Sequence, residues 1–125
     1  MRPTPARVQQ VTLALIVVGV AVQVYLIAAY AFGAGSGALD AHRALGNVVL
    51  LLEIVAGVAG IVAWRGSPLM GMSIGLPLIG IVQVILAQAD RWLGGFHGLF
   101  ALLVVGLAIS LLIRGRRELG AASLL

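Results

Sequence analysis

The chain has 125 residues, 62% of them hydrophobic and 10% charged, with no cysteine and a formal net charge of +4. Soluble domains carry about 25% charged residues, so this composition, with a mean hydropathy of +1.15, excludes a water-clothed globule and specifies a membrane protein. The lack of thiols excludes disulfides, zinc–thiolate and iron–sulfur sites and covalent c-type haem attachment. All eight basic residues are Arg, scattered between apolar runs; a nucleic-acid binder concentrates its charge on one face, so no nucleic-acid partner is expected.

Four apolar stretches follow one another: about Val8 to Phe32, His42 to Trp64, Pro68 to Gln88 and Phe96 to Ile113. Each approaches or exceeds the roughly 20 residues that cross a bilayer as a helix. The first is preceded by Arg2 and Arg7 and contains Ala29-Tyr30-Ala31, a sequence like a signal-peptide cleavage site. Its apolar run exceeds the roughly 7–15 residues of such leaders, so it is expected to stay as a span. A Gly/Ala/Ser loop from Gly33 to Ala41 and short turns at Arg65 to Ser67 and Ala89 to Gly95 join the stretches. Short connections make neighbouring spans antiparallel. The expected fold is an all-α, up-down bundle of four transmembrane helices in a single domain over residues 1–125, with no soluble domain appended. Pro68 suits a first helical turn, and Pro77 sits inside the third span, where a kink is expected.

Arginine placement sets orientation. The amino terminus, second loop and carboxyl tail hold Arg2, Arg7, Arg65, Arg114, Arg116 and Arg117 against Glu118 alone, whereas Asp40, Arg43, Asp90 and Arg91 cancel in the other loops. The positive side faces the cytoplasm, so both termini are expected on the cytoplasmic side of the membrane.

The chain has two histidines. His42 opens the second span and His97 the fourth, which run in the same direction, so both imidazoles are expected at the outer end and at similar depth. Two opposed neutral imidazoles are what an iron porphyrin requires, whereas Met70 and Met72 lie at the opposite end. At 100° per residue, His42 shares a stripe with Gly46, Val49, Glu53, Ala56 and Gly60, and His97 with Ala101, Val104 and Ala108. These small residues leave room for a flat macrocycle beside Gly46, and equally serve close packing of membrane helices. An internal repeat accompanies the pair. Val22-Gln23-Val24-Tyr25-Leu26 matches Val82-Gln83-Val84-Ile85-Leu86, and each precedes a helix opening on His. Two equivalent hairpins imply a pseudo-twofold axis along the membrane normal.

The stretch Ala41-His42-Arg43-Ala44-Leu45-Gly46, preceded by Val22-Gln23-Val24 and followed by His97, resembles an uncharacterised family of small bacterial four-span membrane proteins over nearly the whole chain. It also resembles the four-helix half of heme A synthase, in which histidines opening the second and fourth helices bind haem. That resemblance implies His42 and His97 as axial ligands. It does not carry over the hydroxylating activity, because this chain is a single half and offers only Asp40 and Asp90 as nearby carboxylates. Transmembrane ascorbate-reducible cytochromes b are similar more loosely and have two ligand pairs.

The leading expectation is therefore a bis-histidine membrane cytochrome or haem-binding module with one haem b per chain, rather than an enzyme. Its partners would be the lipid bilayer and either a quinone or an extracytoplasmic redox protein, and an oligomer is left open. Arg43 and Arg91 are candidates to pair with haem propionates, or simply balance Asp40 and Asp90. Glu53 is the one ionisable side chain deep in a span, roughly 16 Å along the helix from His42. With Gln23 it is a candidate proton or quinone site, or a protonated core acid hydrogen-bonded by Gln23. Two other functions stay open: a divalent-metal site at the outer mouth, with Asp40 and Asp90 joining the histidines, and an accessory subunit without cofactor. A transporter is disfavoured, since one buried carboxyl supplies few steps for an ion path.

Overall fold

The computed structural model describes residues 3–123, apart from the Arg91 side chain. Four helices follow in order, α1 (Pro3–Ala31), α2 (Ser36–Ala63), α3 (Pro68–Leu86) and α4 (Arg91–Ala122). All four are long and apolar enough to cross a membrane, as the sequence requires. Helices apolar on every side cannot be surface helices of a soluble protein. Here Val11, Val18, Leu51, Val58, Leu78 and Leu102 remain exposed, which places them against lipid chains.

The helices extend beyond their apolar cores. The Gly33–Ala41 loop shrinks to Phe32–Gly35, because α2 begins at Ser36. Gly33 (φ 93°) and Gly35 (φ 86°) occupy the left-handed region there, open to glycine without steric cost, so the chain reverses tightly. The Arg65–Ser67 turn uses Gly66 at φ 77°. Ser67 then caps α3, its Oγ accepting from the Leu69 backbone N–H at 3.2 Å, with Pro68 in the first turn as expected. Neither histidine opens its helix. His42 lies six residues after Ser36 and His97 six residues after Arg91, so the two occupy equivalent positions about two turns in.

The bundle is square. Each helix packs on two others, α1 on α2 and α4, and α3 on α2 and α4, while the diagonal pairs α1–α3 and α2–α4 make no backbone contact among the described residues. The core is correspondingly narrow: Leu13 and Ile16 from α1, Val49 and Ala56 from α2, Leu76 from α3, and Val104, Ala108 and Leu111 from α4. The α2 stripe read from the sequence is the buried one, with Val49, Glu53, Ala56 and Gly60 all inside. Glycines set the approach of neighbouring helices. A Cβ at Gly19 would meet Val49 Cγ2 at 2.8 Å, and one at Gly57 would meet the Pro77 ring at 2.9 Å.

Candidate functional site

Side chains cross the open diagonals at two levels. At one end, the rings of His42 on α2 and His97 on α4 have centres 6.2 Å apart and are inclined at 73°. The equal helical positions of the two residues bring them level. Each ring is held in the same way by the preceding helix. His42 Nδ1 lies 3.0 Å from the Gln23 carbonyl oxygen, and His97 Nδ1 lies 3.0 Å from that of Gln83. Gln23 and Gln83 are the matched residues of the repeat, so the two hairpins are structurally equivalent at this level.

This geometry fixes the tautomer. A backbone carbonyl only accepts, so Nδ1 donates the ring proton, and in neutral imidazole Nε2 keeps its lone pair. The Nε2 atoms make no hydrogen bond among the described residues. A second partner that orients an imidazole and sets its tautomer is a recurring feature of metal-binding histidines. A metal–imidazole bond is about 2 Å long and the ring centre lies roughly 1 Å behind the nitrogen, so two imidazoles on opposite sides of one metal have centres about 6 Å apart. The donor type, free nitrogen and spacing all fit such a pair.

The other expected residues divide. Gly46 borders the site, where an added Cβ would meet the Gln23 amide nitrogen at 2.9 Å. Arg43 faces outward and pairs with Asp40 at 3.7 Å, both side chains well exposed. That is the charge-balancing arrangement, and an exposed pair of this kind is weak. The Arg91 side chain and Arg2 lie outside what is described. Asp40 and Asp90 do not join the histidines: no group of three or more His, Asp or Glu side chains suited to a metal converges among the described residues.

Glu53 is buried, 2% exposed, but it is not hydrogen-bonded to Gln23. Its Oε2 and the Gln23 Oε1 both lack partners. The carboxyl instead lies on α3, in the space left by Gly80: a Cβ there would collide with Oε2 and lie 2.7 Å from the carboxyl carbon. Glu53 of α2 thus packs on α3 rather than α1, because Gly80 on α3 leaves room for the carboxyl.

The second level lies at the arginine end and was not anticipated from the sequence. Gln9 is fully buried and donates through Nε2 to Ser73 Oγ at 2.7 Å and to the Ala56 carbonyl at 3.2 Å. Its Oε1 accepts from Trp64 Nε1 at 2.6 Å, while Ser73 Oγ donates to the Leu69 carbonyl at 2.7 Å. This cluster spans the α1–α3 diagonal and ties in α2. Gly60 makes room for it, since a Cβ there would collide with Gln9 Nε2 and Ser73 Oγ. The available signal was three polar or amphipathic residues in apolar runs, which membrane helices use for interhelical bonding. Every donor and acceptor here is engaged, so the cluster has the character of a structural joint.

Comparison with known protein families, with curated proteins and with solved structures finds no match.

Proposed function

We propose that this four-helix membrane protein binds one haem b between His42 and His97 and works as an electron carrier or haem-binding module. The observation that carries the reading is the level pair of imidazoles 6.2 Å apart, each with Nδ1 fixed on a carbonyl of the preceding helix. His42 and His97 would supply the two axial nitrogens, and the stripe of small residues beginning at Gly46 would border the macrocycle. A bound haem would supply one-electron chemistry. The chain's own residues anchor each imidazole through Nδ1 on a backbone carbonyl and leave each Nε2 without a hydrogen-bond partner among the described residues. The arginine distribution supports both termini on the cytoplasmic side and the histidine end outside, and a bacterial cytoplasmic membrane is part of the same proposal. One haem at that end cannot by itself pass electrons across a hydrocarbon core ~30 Å thick. Its exchange partner is then an extracytoplasmic redox protein or a quinone reaching the site from the lipid.

The test is the visible spectrum of purified protein after hemin addition. A sharp, low-spin, six-coordinate spectrum with one haem per chain is expected, lost in His42→Ala and in His97→Ala. A preparation that stays colourless refutes the proposal. Retention of the six-coordinate spectrum in either variant assigns the ligand elsewhere.

A further inference from the structure

Buried polar atoms of folded proteins nearly always find partners. Three acceptor atoms at or just below the histidine layer do not: Oε1 of Gln23, Oε1 of Gln83 and Oε2 of Glu53. The two glutamines are the residues whose backbone carbonyls hold the imidazoles. Glu53 belongs to the same region for a reason invisible along α2. Its Cα lies about 16 Å of helix rise from that of His42. However, side chains on a helix tilt toward its N-terminus, and the N-terminus of α2 is the histidine end. The carboxyl also rests on Gly80, which precedes Gln83 by three residues, about 4.5 Å of rise. The carboxyl therefore lies about one helical turn from the residue whose carbonyl anchors His97.

Among the described side chains, no charge on the surrounding elements pairs with it. α3, which carries Gly80, has no Asp, Glu, His, Arg or Tyr from Pro68 to Leu86. On α1 the titratable residues are Arg7, Tyr25 and Tyr30, all exposed. α4 carries His97 in the imidazole pair, while Arg114, Arg116, Arg117 and Glu118 are exposed at the far end and Arg91 is at the start of the helix. α2 itself adds His42 in the imidazole pair and the exposed Asp40–Arg43 pair. Among the described side chains, Glu53 and the two imidazoles are then the titratable groups of this low-dielectric region, and charges are felt farther there than in water.

We propose that Glu53 is a proton-binding site linked to the electron held between the histidines, an inference that rests on the haem reading above. If a one-electron reductant such as dithionite reduced the bound group, Glu53 would take one proton from hydronium, whose O–H bond breaks as the carboxyl O–H bond forms, and that proton would balance the added negative charge. Binding of electron and proton are reciprocal by linkage. The unpartnered amide oxygens of Gln23 and Gln83 are acceptors along which water can hand that proton from the histidine end toward Glu53.

The test is reduced-minus-oxidised infrared difference spectroscopy of the haem-loaded protein in lipid nanodiscs, with dithionite as reductant. The expected result is a carboxylic C=O band gained on reduction and absent from Glu53→Gln. The midpoint potential should fall with rising pH more steeply in the parent than in that variant, which leaves any titrating haem propionates in place. A parent spectrum without a carboxylic band overturns the proposal, and needs no variant to fold. A band that persists in Glu53→Gln overturns it too. Both results come from protein with a six-coordinate haem spectrum; failure to bind haem refutes the underlying reading and this inference with it.

Discussion

Gly80→Val is the most informative perturbation of the bundle. The added Cβ would occupy the position of Glu53 Oε2 and lie 3.2 Å from Leu50 Cδ1, with two methyl groups still to place. Overpacking a filled core costs about 1–3 kcal/mol, and a collision with a buried carboxyl puts this substitution near 3. The repeat supplies the remedy. Gly80 corresponds to Val20, and Glu53 corresponds to Ala108; both counterparts are buried. One hairpin thus has glycine opposite a long acid in the sequence register where the other has valine and alanine. Glu53→Ala with Gly80→Val recreates the second combination at the α2–α3 contact. The double variant should return to within about 1 kcal/mol of the parent, a coupling energy of at least about 2 kcal/mol in magnitude for any Glu53→Ala that is neutral or destabilising alone, where independent sites add within about 0.5. Reversible unfolding in mixed micelles, titrated with a denaturing detergent, measures all four proteins. Simple additivity of the two substitutions would refute both the packing argument and the structural equivalence behind it.

Gly46→Leu should lower haem occupancy while leaving helicity by circular dichroism unchanged, because the new side chain displaces the Gln23 amide and enters the site; unaltered haem stoichiometry would remove Gly46 from the site. Gln9→Met should destabilise the bundle by about 1–3 kcal/mol, since it leaves the Trp64 N–H buried without an acceptor. Adding Trp64→Phe should recover part of that loss, and the unfolding titration should show no recovery if the hydrogen bond contributes nothing. Reporter fusions at either terminus should be active only when the reporter works in the cytoplasm, and an externally active fusion would reverse the assigned orientation.

The fold was legible because a bilayer leaves few choices. Apolar runs of this length must be helices, and turns of a few residues must make them antiparallel. The extra turn before each histidine was not legible. Ser36–Ala41 and Arg91–Gly95 are not apolar, and hydropathy cannot see helix that continues into the headgroup region. The histidine pair was legible because only two occur and both follow the same repeat element. Their carbonyl anchors were not, since backbone acceptors leave no mark in a sequence. The Glu53 partner was misjudged for a related reason. Gln23 offered an obvious polar group, whereas the structure satisfies volume rather than hydrogen bonding, and the deciding residue, Gly80, is one of 17 glycines.

The two ends of the bundle treat the internal symmetry differently. At the histidine end the imidazole anchors keep the repeat, although Glu53 and Gly80 below them do not: His42 with Gln23 and His97 with Gln83 make the same bond at the same distance. At the arginine end it is broken. Gln9, Trp64 and Ser73 form the buried joint, while their counterparts Leu69, Leu119 and Leu13 are apolar. A polar joint only has to satisfy its donors and acceptors, and one asymmetric cluster does that with fewer buried polar groups than two. Two imidazoles sharing a single metal have the opposite requirement. They must match in depth and tautomer and stand on opposite sides of one point, which a twofold axis supplies without further adjustment. Retained symmetry at one end and discarded symmetry at the other is what a shared central ligand at the histidine end would produce, and packing alone gives no reason for the difference.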